Sequence, residues 1–224
     1  MLNPTLITQL QAIVGETRVK TDADSLKTWG CDWTKHYTPA ASAIVFPATT
    51  EEVQAIVKLA NAENIVLVPS GGRTGLSAGA VAANGEVVIS FDRMNKVVEF
   101  YPADRMVRVQ AGMVTEQLQQ FADEQDLYYP VDFASAGSSQ IGGNIGTNAG
   151  GIKVIRYGMT RAWVLGLTVV TGKGDILHLN KGMMKNATGY DLRHLFIGAE
   201  GTLGFVTEAE IKLERKPRDL RVLV

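Results

Sequence analysis

The segment "IGGNIGTNAGG" at residues 141–151 has five glycines, two asparagines and no charged residue. Such a segment buries little apolar surface and loses much backbone entropy when it folds. It could be a disordered linker, a tight structural turn, or backbone that lies against a ligand. Its surroundings, residues 128–151, show no clear periodicity but contain little Lys, Glu or Pro, which disfavours disorder. A loop of this length inside a compact domain is usually functional.

The composition bounds the class of protein. The chain has 224 residues, 46% of them hydrophobic, which suffices for one large domain or two small lobes. The 22 basic and 23 acidic residues balance, so we expect no nucleic-acid partner. The single cysteine, Cys31, excludes an intramolecular disulfide, and the three histidines lack the spacing of metal ligands, so we expect no metal site. Without a signal peptide or a long apolar run, a cytoplasmic location is expected.

Hydrophobic periodicity predicts a small α/β lobe joined to a larger α+β lobe. Asn3-Pro4 should start one helix, and a second should run from Asp22 to about Gly30. Residues 42–69 predict a strand, a helix capped by Thr49 or Thr50, and a strand "IVLVP" buried on both faces. The rest predicts strands at 87–90, 97–101 and 106–110, a helix at 115–125, two strands around 172–174, a short helix in "YDLRHLFIG" and an alternating strand in "GFVTEAEIKLERKP".

Two glycine-rich loops follow predicted strands, at residues 69–80 and 137–151. Both contain Ser, Thr or Asn and almost no acidic residue, which suits backbone amides that surround a phosphate. Neither loop has the G-x-G-x-x-G spacing of a Rossmann fold, and Gly172-Lys173 lacks the flanking residues of a P-loop. Spacing alone leaves two readings open, a phosphate-bearing ligand and purely structural turns.

Three motifs carry a resemblance to a known family: "VPSGGRTGL" (68–76), "GSSQIGGNIGTNAGG" (137–151) and "TGYDLRHLFIGAEGTLGFVTEAEIKL" (188–213). Over residues 36–217 the chain resembles the FAD-binding domain of the vanillyl-alcohol oxidase / p-cresol methylhydroxylase flavoproteins. Within that family it is similar to the D-2-hydroxyacid dehydrogenases, whose substrates include D-lactate, D-2-hydroxyglutarate and glycolate. The resemblance implies FAD as cofactor and a two-lobed α+β fold. It divides the chain into an N-terminal helical segment (1–35), a small lobe (36–108), a larger lobe (109–217) and the start of a cap domain (218–224).

The resemblance also implies which residues contact FAD. The pyrophosphate would lie against the loop after Pro69, formed by Ser70, Gly71, Gly72, Arg73, Thr74 and Gly75. Its other side would be closed by Gly137, Ser138, Gly142, Gly143 and Asn144. The ribityl chain and flavin ring would follow Thr147, Asn148, Gly150 and Gly151. The adenosine end would be held by Pro130, Gly201 and Val206. Some relatives attach the flavin covalently to a histidine after the first Gly-Gly pair. Arg73 stands there in this chain and cannot form that bond, so we expect non-covalent FAD.

Full-length relatives are about twice as long, and their cap domain supplies most substrate-binding and catalytic groups. The apolar ending at Val222–Val224 predicts a truncated strand. We therefore assign no catalytic residue and expect residues 1–224 alone to be inactive. The implied reaction passes hydride from a 2-hydroxy acid to flavin N5, and the electrons then go to a quinone, a cytochrome or an electron-transfer flavoprotein. Two alternatives stay open: an oxidase of an alcohol or lactone, and a non-catalytic FAD-binding or electron-transfer subunit. The location could also be peripheral at the inner face of the membrane.

Overall fold

The computed structural model describes residues 2–34 and 36–218. Helix α1 (Pro4–Val14) begins where expected, because the Asn3 side chain accepts a hydrogen bond from the Thr5 amide at 3.0 Å. A short strand β1 (Val19–Lys20) follows, and then helix α2 (Ala23–Trp29) with Asp22 as its cap. The predicted N-terminal helices are thus present, and β1 adds a strand that the sequence analysis did not anticipate.

The first sheet has four strands in the order β1-β2-β4-β3. It is built from β2 (Ala43–Val45), β3 (Leu67–Ser70) and β4 (Val87–Ser90), with helix α3 (Thr50–Glu63) between β2 and β3. Both β2 and β3 run parallel to β4, whose four residues are all buried. Thr49 caps α3 by accepting from the Glu52 amide at 3.2 Å.

The prediction that "IVLVP" forms a strand buried on both faces is wrong. Strand β3 lies at the edge of the first sheet, and its residues Leu67, Val68 and Pro69 are only half-buried. Proline cannot donate a ladder hydrogen bond, so an edge strand is the position where Pro69 is tolerated. Strands β2 and β4, by contrast, are buried at every residue, and the apolar pattern could not distinguish them from β3.

The second sheet has five antiparallel strands in the order β5-β6-β10-β8-β9. Its strands are β5 (Val97–Tyr101), β6 (Met106–Gln110), β8 (Val164–Thr171), β9 (Ile176–Leu179) and β10 (Gly204–Lys212). Strand β10 alternates half-buried and buried residues, as its sequence predicted. Helix α4 (Thr115–Glu124) packs against this sheet through Leu118, which is buried in the same hydrophobic core. A separate two-stranded sheet pairs β7 (Leu127–Tyr128) with β11 (Glu214–Arg215).

The segment that was predicted as a loop contains helices. Helix α5 (Ile141–Thr147) has Ile141 and Ile145 buried in the core on one face. Helix α6 (Val154–Tyr157) and a 3₁₀ turn at Thr160–Trp163 follow it. Glycine has a low helix propensity, so three glycines in seven residues concealed α5 from a pattern-based prediction. The helix expected in "YDLRHLFIG" is confined to α7 (Arg193–Phe196).

The α+β architecture agrees with the predicted fold class. The predicted division at residue 108 falls inside β6, which pairs with β5 and β10 in the second sheet. Likewise β1, from the predicted segment 1–35, pairs with β2. These pairings favour a boundary between β4 and β5. Of the predicted cap segment 218–224, residues 219–224 lie outside the described residues. Among the helices described, none combines the length and the apolar character needed to cross a bilayer.

Candidate functional site

A cleft of about 590 Å³ opens between the first sheet and the glycine-rich segments that flank the second. Most of the residues predicted to contact the cofactor line it: Pro69, Gly71, Gly72, Arg73, Thr74, Gly75, Gly142, Gly143, Asn144, Thr147, Gly150, Gly151, Gly201 and Val206. The structure therefore brings the three sequence motifs together at one place.

Five predicted residues are absent from the lining of this cleft: Ser70, Pro130, Gly137, Ser138 and Asn148. Ser70 is fully buried and its hydroxyl donates to the Trp29 carbonyl at 3.4 Å. Pro130 is buried, whereas Gly137 and Ser138 are exposed. The Asn148 side chain accepts a hydrogen bond from the Arg161 amide at 3.0 Å. Direct cofactor contacts from these five residues stay a prediction.

The two glycine-rich loops contact each other. A Cβ atom on Gly72 would lie 2.1 Å from the Ser138 carbonyl oxygen, so only glycine fits at that position. A Cβ atom on Gly142 would lie 2.8 Å from the Ala111 Cβ. Gly72 and Gly142 therefore allow neighbouring segments of the protein to pack closely, and this role does not require a ligand. At Gly143, by contrast, an added Cβ would meet no atom within 4 Å, so this residue faces open space in the cleft.

The loop after β3 presents unpaired amides. Among the described residues, no acceptor receives a hydrogen bond from the backbone N–H groups of residues 71–76 or of Gly143. Arg73 has a positive φ of 58°, which bends this run of amides. Successive free N–H groups in such a turn form a concave binding surface for an anion. The donor set therefore fits a phosphate-bearing cofactor.

The Asp92 carboxylate binds three side chains beneath the loop that follows β3. Its carboxylate accepts hydrogen bonds from Trp29 Nε1 at 2.7 Å and from Gln140 Nε2 at 2.8 Å, and it contacts Arg73 Nη1 at 3.4 Å. The Arg73 guanidinium also donates to the Gly71 carbonyl at 2.7 Å and lies 5.8 Å from the centre of the Trp29 ring. Arg73 therefore faces the cleft mainly through its backbone, and its charge is balanced by Asp92.

Apolar side chains form the remaining walls. Five residues that were not predicted from the sequence form these walls: Phe91, Ala111, Phe133, Phe196 and Phe205. The other lining residues that were not predicted are Asp32, Leu76, Ser77, Gly79, Ala80, Ser135, Gln140, Gly146, Ala149, Glu200 and Gly204. Flat apolar walls beside a few convergent polar groups suit a ligand with aromatic rings. The glycine loops gave a local signal. The phenylalanines come from four separate parts of the chain, and although Phe196 and Phe205 lie in the motif at 188–213, their spacing did not indicate a cleft wall.

The ionisable residues in the lining are Asp32, Arg73 and Glu200. No histidine, lysine or tyrosine belongs to it among the described residues. His36 and His178 are exposed, and His194 contacts Arg161 outside the cleft. The walls thus offer apolar surface and backbone N–H groups that can donate hydrogen bonds to a phosphate. They contain few side chains that could accept or donate a proton in catalysis.

Comparison with known proteins identifies the ligand that this cleft binds. A profile of a family described as "FAD binding domain" matches residues 41–180. The chain belongs to this family of FAD-binding domains. FAD, the cofactor implied by the resemblance, agrees with the free amides and the apolar walls, because it combines a pyrophosphate with two aromatic ring systems.

The FAD-binding domain has close sequence relatives. It is 69% identical over 224 residues to a D-2-hydroxyglutarate dehydrogenase of Stutzerimonas stutzeri (strain A1501), covering 100% of this chain and 48% of that protein. It is 54% identical to the D-2-hydroxyglutarate dehydrogenase of Xanthomonas citri pv. viticola, covering 100% of this chain and 47% of that protein. The chain thus spans about half the length of the curated relatives it matches.

Solved structures confirm the predicted fold. An alkyldihydroxyacetonephosphate synthase superposes with a TM-score of 0.87 at 26% identity, covering 98% of this chain and 42% of that one. A p-cresol methylhydroxylase with substrate bound superposes with a TM-score of 0.81 at 22% identity, covering 96% of this chain and 44% of that one. The second likeness concerns the fold alone.

Proposed function

We propose that this FAD-binding domain is part of a flavin-dependent D-2-hydroxyacid dehydrogenase. The observation that carries the proposal is its identity of 69% and 54%, over the whole chain, to two bacterial D-2-hydroxyglutarate dehydrogenases. D-2-hydroxyglutarate is therefore the first substrate to test, before D-lactate and glycolate. The product would be the corresponding 2-oxo acid.

Oxidation of a 2-hydroxy acid needs a cation for the carboxylate, a base for the hydroxyl proton and an acceptor for the hydride. Bound FAD supplies the hydride acceptor. The residues of this chain would hold and orient it: the amides of 71–76 and Gly143 bind its pyrophosphate, and the phenylalanine-lined walls exclude water from its rings.

Arg73 is already paired with Asp92, so it is poorly placed to bind a substrate carboxylate. We assign no catalytic residue in this chain and propose that the cation and the base lie in the cap domain that the resemblance implies. The electron acceptor would be a quinone, a cytochrome or an electron-transfer flavoprotein. A cytoplasmic location, or peripheral attachment at the inner face of the membrane, completes the proposal.

The test is a substrate screen on the purified full-length protein with an artificial electron acceptor. D-2-hydroxyglutarate should bleach the flavin absorbance anaerobically and support turnover, whereas the L enantiomer should do neither. Bleaching by D-lactate or glycolate alone would keep the reaction class and change the substrate. Bleaching only by an alcohol or a lactone would favour the alternative oxidase. Bound flavin that no such compound reduces would favour a non-catalytic FAD-binding or electron-transfer subunit.

A further inference from the structure

Arg161 joins two segments that lie far apart in the sequence. Its backbone amide donates to Asn148 Oδ1 at 3.0 Å, just after helix α5. Its guanidinium donates from Nη2 to the Ile197 carbonyl at 2.8 Å, and Nη1 lies 2.6 Å from His194 Nδ1. We refer to these four residues, Asn148, Arg161, His194 and Ile197, as the Arg161 clamp.

Both segments held by the clamp contribute walls to the FAD cleft. Thr147 and Ala149, on either side of Asn148, line the cleft. Phe196, beside Ile197, lines it from the other segment, and so do residues 200 and 201 further along. Gly198, which follows Ile197, packs closely against two residues of the clamp. A Cβ atom added to Gly198 would lie 3.6 Å from both Arg161 Nη2 and Asn148 Cβ.

Two backbone hydrogen bonds act beside the clamp. The Gly198 amide donates to the Ile145 carbonyl at 3.0 Å, and the Glu200 amide donates to the Gly146 carbonyl at 2.9 Å. These bonds attach the segment to α5, but they do not reach Asn148 or residues 193–197. Arg161 connects those residues through its backbone amide at Asn148 and through its guanidinium at His194 and Ile197, so loss of the guanidinium should loosen this wall without removing it.

His194 must present a lone pair for the clamp to form. Because guanidinium nitrogens only donate, a contact of 2.6 Å requires His194 Nδ1 to accept. The proton of the neutral ring then sits on Nε2, which lies 3.3 Å from Asp191 Oδ2. A doubly protonated ring would place an N–H group against the Arg161 N–H and two positive charges side by side.

We propose that Arg161 is a positioning residue for FAD, and that it acts in this role only while His194 is neutral. The inference requires FAD binding and is independent of which hydroxy acid is oxidised. Histidine changes its charge between about pH 5 and 8, so the clamp should weaken as the pH falls through that range.

The charged groups that face His194 fix the direction of this effect. They are Arg161 on one side and Asp191 on the other, and Asp191 is in turn paired with Arg193. The hydrogen bond from Arg193 holds the pKa of Asp191 below its ordinary value. Asp191 therefore stays charged between pH 5.5 and 8, as expected for a carboxylate with a lowered pKa.

The test is the affinity for FAD, followed by flavin fluorescence in the full-length protein prepared without cofactor. In the wild type we expect the dissociation constant to rise about tenfold from pH 7.5 to pH 5.5, the scale of one charge-assisted hydrogen bond. Arg161→Met should bind FAD about tenfold more weakly at pH 7.5 and show little dependence on pH. His194→Asn, which keeps an acceptor near the position of Nδ1 but cannot gain a proton, should bind FAD tightly at both pH values.

Arg156→Met is the matched control. Arg156 is exposed, stacks 5.2 Å from the centre of the Tyr157 ring and is absent from the cleft lining, so FAD affinity should match the wild type. The proposal is wrong if wild-type affinity does not change with pH, or if His194→Asn keeps the wild-type pH dependence. The His194 variant decides the matter even if Arg161→Met fails to fold. A wild-type protein that binds no FAD at any pH would instead contradict the cofactor assignment.

Discussion

Gln140 Nε2 donates a hydrogen bond to Asp92 Oδ1 at 2.8 Å, and this contact fixes the orientation of the Gln140 amide. A carboxylate can only accept, so the atom that faces Asp92 must be the nitrogen. Gln140 Oε1 is then left buried and without a hydrogen-bond partner among the described residues. It lies 3.4 Å from the position that a Cβ on Gly71 would occupy, at the junction of the two glycine loops.

Gln140→Glu should destabilise this junction. The new carboxylate would face Asp92 at the distance where Nε2 now donates, and like charges in contact are unfavourable. We expect the free energy of unfolding to fall by about 1–3 kcal/mol, together with a loss of FAD affinity, because the added charge also repels phosphate. Urea unfolding and FAD titration measure the two effects. Gln119→Glu, at a half-buried glutamine absent from the cleft lining, is the control and should change FAD affinity little.

Two glycines of the cleft should respond differently to alanine. Gly72→Ala would force a Cβ to within 2.1 Å of the Ser138 carbonyl oxygen, so the backbone must move. We expect a loss of at least about 1–3 kcal/mol in the free energy of unfolding, as for other overpacked sites. Thermal unfolding without added FAD checks this value. An unchanged melting temperature would show that the two loops are not in contact.

Gly143→Ala should leave the fold intact and weaken FAD binding. The residue is helical, and its Cβ would meet no protein atom within 4 Å, so alanine should stabilise α5 by up to about 1 kcal/mol. The methyl group would occupy space that the cofactor needs, and FAD affinity should fall about tenfold or more, by analogy with overpacking. Tighter FAD binding by this variant would place the cofactor elsewhere.

FAD should leave the polypeptide when the holoprotein is denatured in acid. Arg73 stands where some relatives attach the flavin to histidine, and its guanidinium is engaged with Gly71 and Asp92. After precipitation with acid, the flavin absorbance should therefore appear in the supernatant. Flavin that stays on the pelleted chain would contradict non-covalent binding.

Glu210 should limit stability at neutral pH. Burial on β10 raises the pKa of its carboxyl above the ordinary value. A carboxyl with a raised folded-state pKa favours the fold while it is protonated, and this contribution is lost as the pH rises through that pKa. Glu210→Gln should therefore stabilise the protein at pH 7 by about 0.5 kcal/mol, with a smaller gain at pH 4. Chemical unfolding at both values tests this. Glu124→Gln, at an exposed residue, should give no such difference.

Local signals in the sequence predicted much of the fold. The cap of α3 at Thr49, the alternation of β10 and the strands β5 and β6 depend on neighbouring residues, and the structure contains all of them. The order of strands within each sheet was not predictable in this way. Strand β4 takes the central position between β2 and β3 through contacts that are distant in sequence, which is why β3 was wrongly expected to be buried.

In the candidate site too, features set by neighbouring residues were predictable, and features set by contacts distant in sequence were not. The glycine motifs predicted which two segments line the cleft, because two stretches of backbone can approach each other closely where glycine removes the Cβ atom. Asp92 and the phenylalanines gave no comparable signal, since a single carboxylate or aromatic residue after a strand has many possible roles. Helix α5 was hidden for a related reason: its stability comes from Ile141 and Ile145 in the core, whereas its own residues have low helix propensity.

That helix has a consequence for how the holoprotein assembles. With three glycines in seven residues, α5 contributes little to its own stability and should open more readily than the sheets beside it. Before FAD arrives, its amides should therefore exchange with solvent deuterium faster than those of β8 and β10. Cofactor binding should slow that exchange, so the last step of folding for this wall of the cleft would be the capture of FAD itself.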